Sequence, residues 1–245
     1  MPADQSNMAS SGSVMEVTDP LLAPTAFGRQ MRDAHFLFAP SYNPLNHGSF
    51  GTYPKYVQKR LCECQALSEA RPDSFVRYEI PNMLEKSRAA IASYLGVPKD
   101  ETVLLPNTTT ATNVVLRNLK FEEGDTVIHL STIYGAADKT LESIMETTPV
   151  RSVNVPVQYP ISDDDLVESF KGSIKTAKED GQKVRIAVFD TISSMPGVRV
   201  PWERLVDVCK QEDVLSFVDG AHGVGHIKLD LTRARPDFFV SNLHK

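Results

Sequence analysis

The stretch FVDGAH, from Phe217 to His222, is an apolar strand that runs into a glycine-containing turn carrying an acid and a histidine. Further along the chain, DFFVSNLHK, from Asp237 to Lys245, is a second strand-like run that ends in a histidine and a lysine. Asp219 at the end of one strand and Lys245 after the next can hold a pyridine cofactor between them. The carboxylate would pair with the ring nitrogen, and the lysine would form a Schiff base with the aldehyde of the cofactor.

Short apolar runs alternate with helical patterns along most of the chain, and this alternation predicts the fold class. Strands are predicted at Val103–Leu105, Thr126–Leu130, Val150–Val155, Val184–Phe189, Leu215–Val218 and Phe238–Val240. Helices are predicted at Lys55–Ala70, Pro81–Leu95, Thr110–Asn118, Ala136–Glu146, Asp163–Glu179 and Trp202–Gln211. Such alternation with β-branched strands is typical of an α/β fold with a mostly parallel sheet and flanking helices. Ligands of these sheets bind at the carboxyl ends of the strands.

The composition is that of an ordinary globular protein, with 245 residues of which 41% are hydrophobic and 23% charged. The net charge is -5 and the 26 basic residues are scattered, which argues against a nucleic-acid surface. No apolar run approaches the roughly 20 residues that a membrane helix needs. The spacing of Cys62, Cys64 and Cys209 matches neither a disulfide framework nor a zinc site, so we interpret them as reduced thiols of a cytoplasmic protein.

The chain is predicted to comprise a leader and one larger unit. Residues 1–26 are rich in Ser, Ala, Pro and acids without periodicity, which predicts a disordered leader. Residues 27–245 are predicted to form an N-terminal segment and a large cofactor-binding domain, with a Gly-rich turn at Asn46–Pro54. No element follows the strand Phe238–Val240, so we expect this large domain to be incomplete.

A polar turn between a predicted strand and helix is a candidate phosphate site. The segment PNTT, from Pro106 to Thr109, offers hydroxyls and backbone amides at the start of a helix. Such a helix terminus favours an anion, and Thr108 and Thr109 are the expected contacts. Ordinary capping of the helix by Thr or Asn is the alternative, and for this segment taken alone it is the better interpretation.

Asp219, His222 and His244 are candidate contacts for other parts of the same cofactor. Asp219 would keep the ring nitrogen protonated, His222 would hydrogen-bond the phenolic oxygen, and His244 would reach the phosphate. An Asp-Gly turn is the structural alternative for Asp219. A metal site is a weaker interpretation, because two glycines between His222 and His226 disfavour the helix on which such ligands lie. The glycines also do not follow the order of a dinucleotide-binding turn.

Tyr134 and Ser194 follow two other predicted strands. Tyr134 would lie on the cofactor face and give or take a proton, whereas packing beside a helix start is the alternative. Ser194 would donate to the phenolic oxygen, and a loop-stabilising serine is an equally good interpretation.

Several short motifs together make the chain from about Phe27 to Lys245 resemble the class V aminotransferase family of pyridoxal-phosphate (PLP) enzymes. They are NHGSFG (Asn46–Gly51), ARPD (Ala70–Asp73), PNTT (Pro106–Thr109), STIYGA (Ser131–Ala136), VDGAHG (Val218–Gly223) and SNLHK (Ser241–Lys245). The branch that is most similar contains isopenicillin N epimerase-like proteins and fungal C–S lyases. Lys245 stands at the position of the Schiff-base lysine of this family.

The resemblance implies the large domain of the fold type I PLP enzymes, usually assembled as a homodimer, with an amino acid as substrate. It implies that Asn46 and His47 contact this substrate. Tyr134 stands where cysteine desulfurases commonly carry a histidine, which favours the epimerase or C–S lyase branch. The expected reaction is therefore cleavage of a cysteine conjugate or its sulfoxide, of the hercynylcysteine sulfoxide type in ergothioneine biosynthesis, with Lys245, Tyr134 and Asp219 as catalytic residues.

Two alternatives stay open at the level of the sequence. Epimerisation or transamination of an amino acid shares every step up to the loss of the Cα proton. Members of the family also continue past the lysine into a small domain that supplies an arginine for the substrate carboxylate. We therefore expect residues 1–245 alone to be unstable and inactive, and a non-catalytic remnant is the alternative from a different class.

Overall fold

A computed structural model describes residues 19–245 of the protein. These residues fall into two compact units, one made of residues 19–45 and 52–70 and the other of residues 46–51 and 71–245. The helices are α1 (Arg29–His35), α2 (His47–Phe50), α3 (Lys55–Ala70), α4 (Pro72–Ser74), α5 (Ile80–Leu95), α6 (Thr108–Asn118), α7 (Gly135–Thr147), α8 (Asp163–Glu179), α9 (Trp202–Gln211) and α10 (Leu231–Ala234). The strands are β1 (Asp125–Leu130), β2 (Arg151–Val155), β3 (Lys183–Asp190), β4 (Leu215–Asp219) and β5 (Phe238–Val240).

The first unit contains α1 and α3 and is held by polar contacts between its segments. Asp19 accepts a hydrogen bond from the Leu21 amide at 3.0 Å and forms an ion pair with Lys59 at 2.7 Å. Lys55 donates to the carbonyl of Asp33 at 2.8 Å, near the last turn of α1. Of the predicted leader, residues 1–18 lie outside the described residues, and Pro20–Leu22 form a short 3-10 turn.

The second unit contains a five-stranded sheet in the order β2-β1-β3-β4-β5, in which every pair of neighbouring strands is parallel. The predicted α/β fold with a parallel sheet and flanking helices is therefore confirmed. The register places Asp190 of β3 directly beside Asp219 of β4. The chain reverses through helices between successive strands, so all the carboxyl ends lie at one edge of the sheet.

Apolar side chains cover both faces of this sheet. On one face α8 and α9 pack against the strands, and Phe170, Phe189 and Trp202 are fully buried there. On the other face α6 and α7 cover a second cluster that includes Leu116 and Phe217. Fully burying a side chain of Leu or Phe size stabilises a fold by about 1.5–3 kcal/mol. These two layers are what fix the strand ends in place.

Capping residues explain some of the helix bounds. The Ser162 hydroxyl accepts from the Asp165 amide at 3.1 Å and begins α8 at the predicted residue. Asn107 accepts from the Thr110 amide at 2.8 Å, so α6 begins at Thr108 rather than at the predicted Thr110. Gly96 ends α5 in the left-handed conformation that favours glycine. None of the described helices is long and apolar enough to cross a membrane.

Two sequence predictions of local structure are wrong. The run Val103–Leu105 pairs with no strand among the described residues, and the side chain of Val103 is 71% exposed. Three apolar residues before a proline carry too little pattern to specify a partner strand. The predicted Gly-rich turn at Asn46–Pro54 instead contains the short helix α2, whose amide hydrogen bonds begin at the Asn46 carbonyl.

Candidate active site

A cavity of about 260 Å³ lies at the carboxyl edge of the sheet, where β1, β3, β4 and the loop after β5 meet the start of α6. The residues predicted from the sequence to hold a cofactor all line this cavity, namely Thr108, Thr109, Tyr134, Ser194, Asp219, His222, His244 and Lys245. The structure therefore brings together side chains from five separate stretches of the chain. Their roles toward a cofactor stay predictions.

Asp219 is the buried acid at the end of β4, with 5% of its surface exposed. One oxygen, Oδ1, accepts a hydrogen bond from the Ala221 amide at 2.9 Å, which holds the carboxyl in the turn. Burial raises the pKa of the Asp219 carboxyl, while the Ala221 amide and the positive charge of Lys245 oppose that rise. The Asp-Gly turn expected from the sequence is thus present, and the same carboxyl also faces the cavity.

Gly220 lets the turn after β4 lie against the neighbouring strand. Its amide donates to the Val240 carbonyl at 2.6 Å, and the Ser241 hydroxyl donates to its carbonyl at 2.5 Å. A methyl group added at Gly220 would stand 2.9 Å from the Val240 oxygen and would collide with the ring of Phe239. Only glycine fits between these strands, and this close approach sets the spacing between Asp219 and the segment that carries Lys245.

Lys245 and Tyr134 meet inside the cavity. The Nζ atom of Lys245 lies 5.8 Å from the centre of the Tyr134 ring, a distance at which the cation is attracted to the aromatic face. Tyr134 follows β1 and directly precedes the first residue of α7. The start of this helix therefore holds the backbone of Tyr134 at the edge of the cavity. Its side chain is half-exposed, which leaves the hydroxyl accessible to a small molecule.

The N-terminus of α6 presents unused donors to the cavity. Thr108 is buried, and its Oγ1 atom has no hydrogen-bond partner among the described residues. Its backbone amide donates to the Asn242 side-chain oxygen at 3.2 Å, which ties the helix to the loop before Lys245. An orphaned buried hydroxyl beside the positive end of a helix is suited to an anion.

His222 lies on the opposite wall, close to α2. A methyl group added at Gly48 would stand 3.6 Å from Nδ1 of His222 and 3.4 Å from the His226 ring. Burial lowers the pKa of His222, and the positive charges of Lys245 and His226 lower it further. These effects favour the neutral form of His222, which can accept as well as donate a hydrogen bond.

Gly51 is the second glycine whose missing side chain shapes the site. It has a φ of +70°, and any Cβ at this position would collide with the carbonyl of His244. The turn after α2 can therefore lie directly against the segment His244–Lys245. Ser49 and Phe50 line the cavity from this turn, whereas the predicted substrate contacts Asn46 and His47 are not among the residues that line it. The Asn46 side chain instead accepts from the Ser49 hydroxyl at 2.7 Å.

The sequence interpretation missed several residues that line this site, among them Asp190 and Asn242. Asp190, at the end of β3, lines the cavity beside Asp219 and is 4% exposed. The signal was available, because it too is an acid that directly follows a buried strand. Asn242 is buried and bonded to Thr108, 134 residues away in the chain, and no local pattern indicates such a contact.

A larger groove of about 400 Å³ lies elsewhere on the second unit. Lys171, Lys175, Glu168 and Glu212 are among its lining residues, and it includes no residue from a strand end. It lies between charged surface side chains, whereas the smaller cavity gathers buried acids, an orphaned hydroxyl and a lysine. We therefore assign the candidate site to the cavity of about 260 Å³.

Comparison with known proteins adds three findings. The family model described as aminotransferase class-V matches residues 69–245. The L-cysteine desulfhydrase-like protein lolT1 of Epichloe uncinata is 39% identical over 89% of this chain and 48% of its own length. The hercynylcysteine sulfoxide lyase of Schizosaccharomyces pombe is 27% identical over 89% of this chain and 54% of its own length.

Solved structures are similar in fold. The cystine C–S lyase C-DES, in complex with its product cysteine persulfide, has a TM-score of 0.73 at 20% identity. The match covers 82% of this chain and 52% of that chain. The chain thus spans about half the length of the curated relatives and of this structure.

Proposed function

The chain belongs to the class V aminotransferase family, and from that premise we propose that it is the large-domain part of a PLP-dependent C–S lyase acting on a cysteine conjugate. The observation that carries the proposal is the convergence of Lys245, Asp219 and Tyr134 in one buried cavity at the strand ends. The cavity also offers a place for the phosphate of PLP. Here the Thr108 hydroxyl is unpaired among the described residues, and the first residue of α6 is hydrogen-bonded to Asn242.

The residues of the cavity fit PLP group by group. Lys245 supplies an amine for an aldehyde, and buried Asp219 supplies a carboxylate for a protonated ring nitrogen. Thr108 has a hydroxyl that is unpaired within the described part of the chain, and it lies at the start of α6, where a phosphate is favoured. The volume of about 260 Å³ lies close to the lower end of the range of about 300–1,000 Å³ for small-molecule pockets.

PLP, when bound, supplies an electron sink for the charge left at the Cα atom of an amino acid. The role of the residues of this chain would be to hold PLP in place and to transfer protons. Asp219, whose carboxyl is held in place by the Ala221 amide, would keep a proton on the ring nitrogen. Lys245 is the amine at the cavity wall, and it can take the proton from Cα once it is free.

Tyr134 is the candidate acid for the leaving group. The centre of its ring lies 5.8 Å from Nζ of Lys245. The lysine that takes the Cα proton and the phenol that gives a proton to the sulfur group would therefore act from the same side of the cavity. Loss of the Cα proton and cleavage of the Cβ–S bond release the sulfur group, which takes up a proton. Hydrolysis of the remaining three-carbon unit gives pyruvate and ammonia.

The finer assignment concerns the substrate. Its support is the similarity to a desulfhydrase-like protein and to a hercynylcysteine sulfoxide lyase, whose names both describe cleavage at the sulfur of a cysteine unit. We infer a sulfoxide of a cysteine conjugate, as in ergothioneine biosynthesis, with Asn46 and His47 of α2 and its preceding turn as substrate contacts. These two residues lie a few positions before Ser49 and Phe50, which line the cavity.

Homodimer assembly and a cytoplasmic location are further parts of the proposal. The support for a homodimer is a set of large apolar side chains of the second unit that are more than half exposed, namely Val76, Tyr78 and Val103. Exposed apolar side chains of this kind are typical of surfaces that a second subunit covers.

The support for a cytoplasmic location is that the three cysteines are free, which agrees with a reducing compartment.

Pyruvate release tests the reaction. The purified, PLP-loaded full-length protein should form pyruvate and ammonia in equal amounts from a cysteine-conjugate sulfoxide, and more slowly from free L-cysteine. Racemisation of an amino acid, or amino transfer to a 2-oxo acid, without pyruvate would contradict the lyase assignment and favour the two other activities of the family.

Tyr134→Phe is expected to slow turnover by about 10²–10⁴-fold, because the proton of the phenol is lost. The ring and its contact with Lys245 remain, so the affinity for PLP should change by less than about 3-fold. Steady-state kinetics and a PLP titration measure the two effects separately. Turnover equal to that of the wild type would make Tyr134 a packing residue only.

Thr108→Val is expected to weaken PLP binding by about 1.5–3 kcal/mol, the worth of a hydrogen bond to a charged group. Folding stability should not fall, because the hydroxyl has no partner to lose among residues 19–245. Thr102→Val is the matched control, since its buried hydroxyl donates to the Pro98 carbonyl at 3.2 Å outside the cavity. The control should lose stability and keep PLP affinity, and the opposite pattern would remove Thr108 from the phosphate site.

A further inference from the structure

Two buried carboxyl groups face the cavity side by side. Asp190 and Asp219 are register partners at the carboxyl ends of β3 and β4, and they are 4% and 5% exposed. Register partners on adjacent parallel strands project to the same face, with strands about 4.8 Å apart. Two carboxyl groups placed in this way can share a hydrogen bond, provided that one of them holds a proton.

The two acids have unequal partners. Asp219 receives the Ala221 amide at 2.9 Å and is close enough to Lys245 to be influenced by its charge. The Oδ2 atom of Asp190 is buried and has no hydrogen-bond partner within residues 19–245, and no ion pair to Asp190 occurs among the described residues. An ionised carboxylate in that position would be buried, unpaired and next to a like charge, which is the arrangement that proteins avoid.

We propose that Asp190 is a second acid of this site: it keeps its proton in the folded protein, so that Asp219 is the one carboxyl of the pair that carries a negative charge. This assignment rests on the proposed function and deepens it. It explains how two neighbouring aspartates would present a single negative charge to the ring nitrogen of PLP. Asp190 is a positioning residue in this account, since it acts through Asp219.

The electrostatics of the cavity support the same distribution of charge. Burial raises the pKa of Asp190 well above its ordinary value, and the neighbouring Asp219 raises it further. The other titratable groups that face the cavity are Tyr134, His222, His244 and Lys245. Of these, the Lys245 cation favours an ionised Asp219. The proton of the pair therefore resides on Asp190.

Infrared spectroscopy tests the proposal without relying on turnover. At pH 7 the purified protein, before PLP is added, should show the carbonyl stretch of a protonated carboxylic acid, and Asp190→Asn should remove it. Asp125→Asn is the control and should leave the band unchanged. Asp125 is also buried, but it lies near the cations of Lys183 and Arg185 and accepts a hydrogen bond from the Glu122 amide at 2.9 Å. Absence of the Asp190 band in the wild type would overturn the proposal, whether or not PLP binds afterwards.

A second variant tests the partner of that proton. In Asp219→Asn the neighbouring negative charge is gone, so the frequency of the Asp190 band should shift. The pH at which the band disappears should fall, because the like charge no longer opposes ionisation of Asp190. A band that keeps both its position and its pH dependence in Asp219→Asn would contradict the pairing.

The same proton should appear in the dependence of stability on pH. Asp190 binds its proton more tightly in the folded chain, so the stability it confers is complete below the pKa of an unfolded aspartate, about 3.9. That stability is lost as the pH rises toward the raised pKa of the folded state. The free energy of unfolding of the wild type should therefore decline with pH relative to that of Asp190→Asn. Parallel curves would mean that Asp190 has an ordinary pKa.

Discussion

Lys245→Ala is expected to abolish covalent attachment of PLP and to lower turnover by at least about 10⁴-fold. The lysine serves twice in this account, as the amine that carries the cofactor and as the base that takes the Cα proton, and a single proton-transfer role is already worth about 10²–10⁴-fold. The visible absorbance of lysine-bound PLP should be missing from the purified variant, and pyruvate release should fall to background.

Lys139→Ala is the matched control for this variant. Lys139 is an exposed lysine that pairs with Glu142 on the surface of α7, and its removal should leave both absorbance and turnover unchanged. A Lys245→Ala protein that kept the absorbance of a lysine-bound cofactor would assign the attachment to a different lysine.

Asp219→Asn is expected to weaken the hold on the cofactor and to remove most of the reaction. Breaking a buried charge pair costs about 3–5 kcal/mol, which corresponds to roughly 10²–10³-fold or more in a binding constant. The amide oxygen of asparagine can still accept from the Ala221 amide, so the turn after β4 should keep its shape. The loss would then report on the charge of Asp219 rather than on the fold.

Thermal unfolding and PLP titration separate these effects. An Asp219→Asn variant that melts near the wild-type temperature, binds PLP weakly and turns over slowly supports the charge role. Near-normal turnover in a well-folded variant would reduce Asp219 to the turn residue that its Asp-Gly sequence alone suggests.

The sequence predicted the sheet and the cavity well because both follow from local rules. The strands of the sheet are short β-branched runs bounded by turns, and α8 and α9 begin and end at the predicted residues. The convergence of Tyr134, Ser194 and Asp219 followed from one topological fact, that parallel strands end at a common edge. This inference needed no knowledge of distances.

Contacts between distant segments were beyond the reach of local patterns. The bond from the Thr108 amide to Asn242 joins residues that share no periodicity, and it is what sets the helix start against the lysine segment. Asp190 was missed for a different reason: it is followed by Thr191 rather than by a glycine, so no Asp-Gly turn marks it in the sequence. Only the register of β3 and β4 shows that the two carboxyls are neighbours.

The central claim is that the cavity at the strand ends holds PLP on Lys245, and borohydride reduction of the PLP-loaded protein followed by peptide mass mapping tests it most directly. Reduction fixes the cofactor to the amine that carries it. We expect a single modified peptide, with the pyridoxyl group on Lys245. A modified peptide containing any other lysine, or no modified peptide at all after PLP loading, would contradict the account.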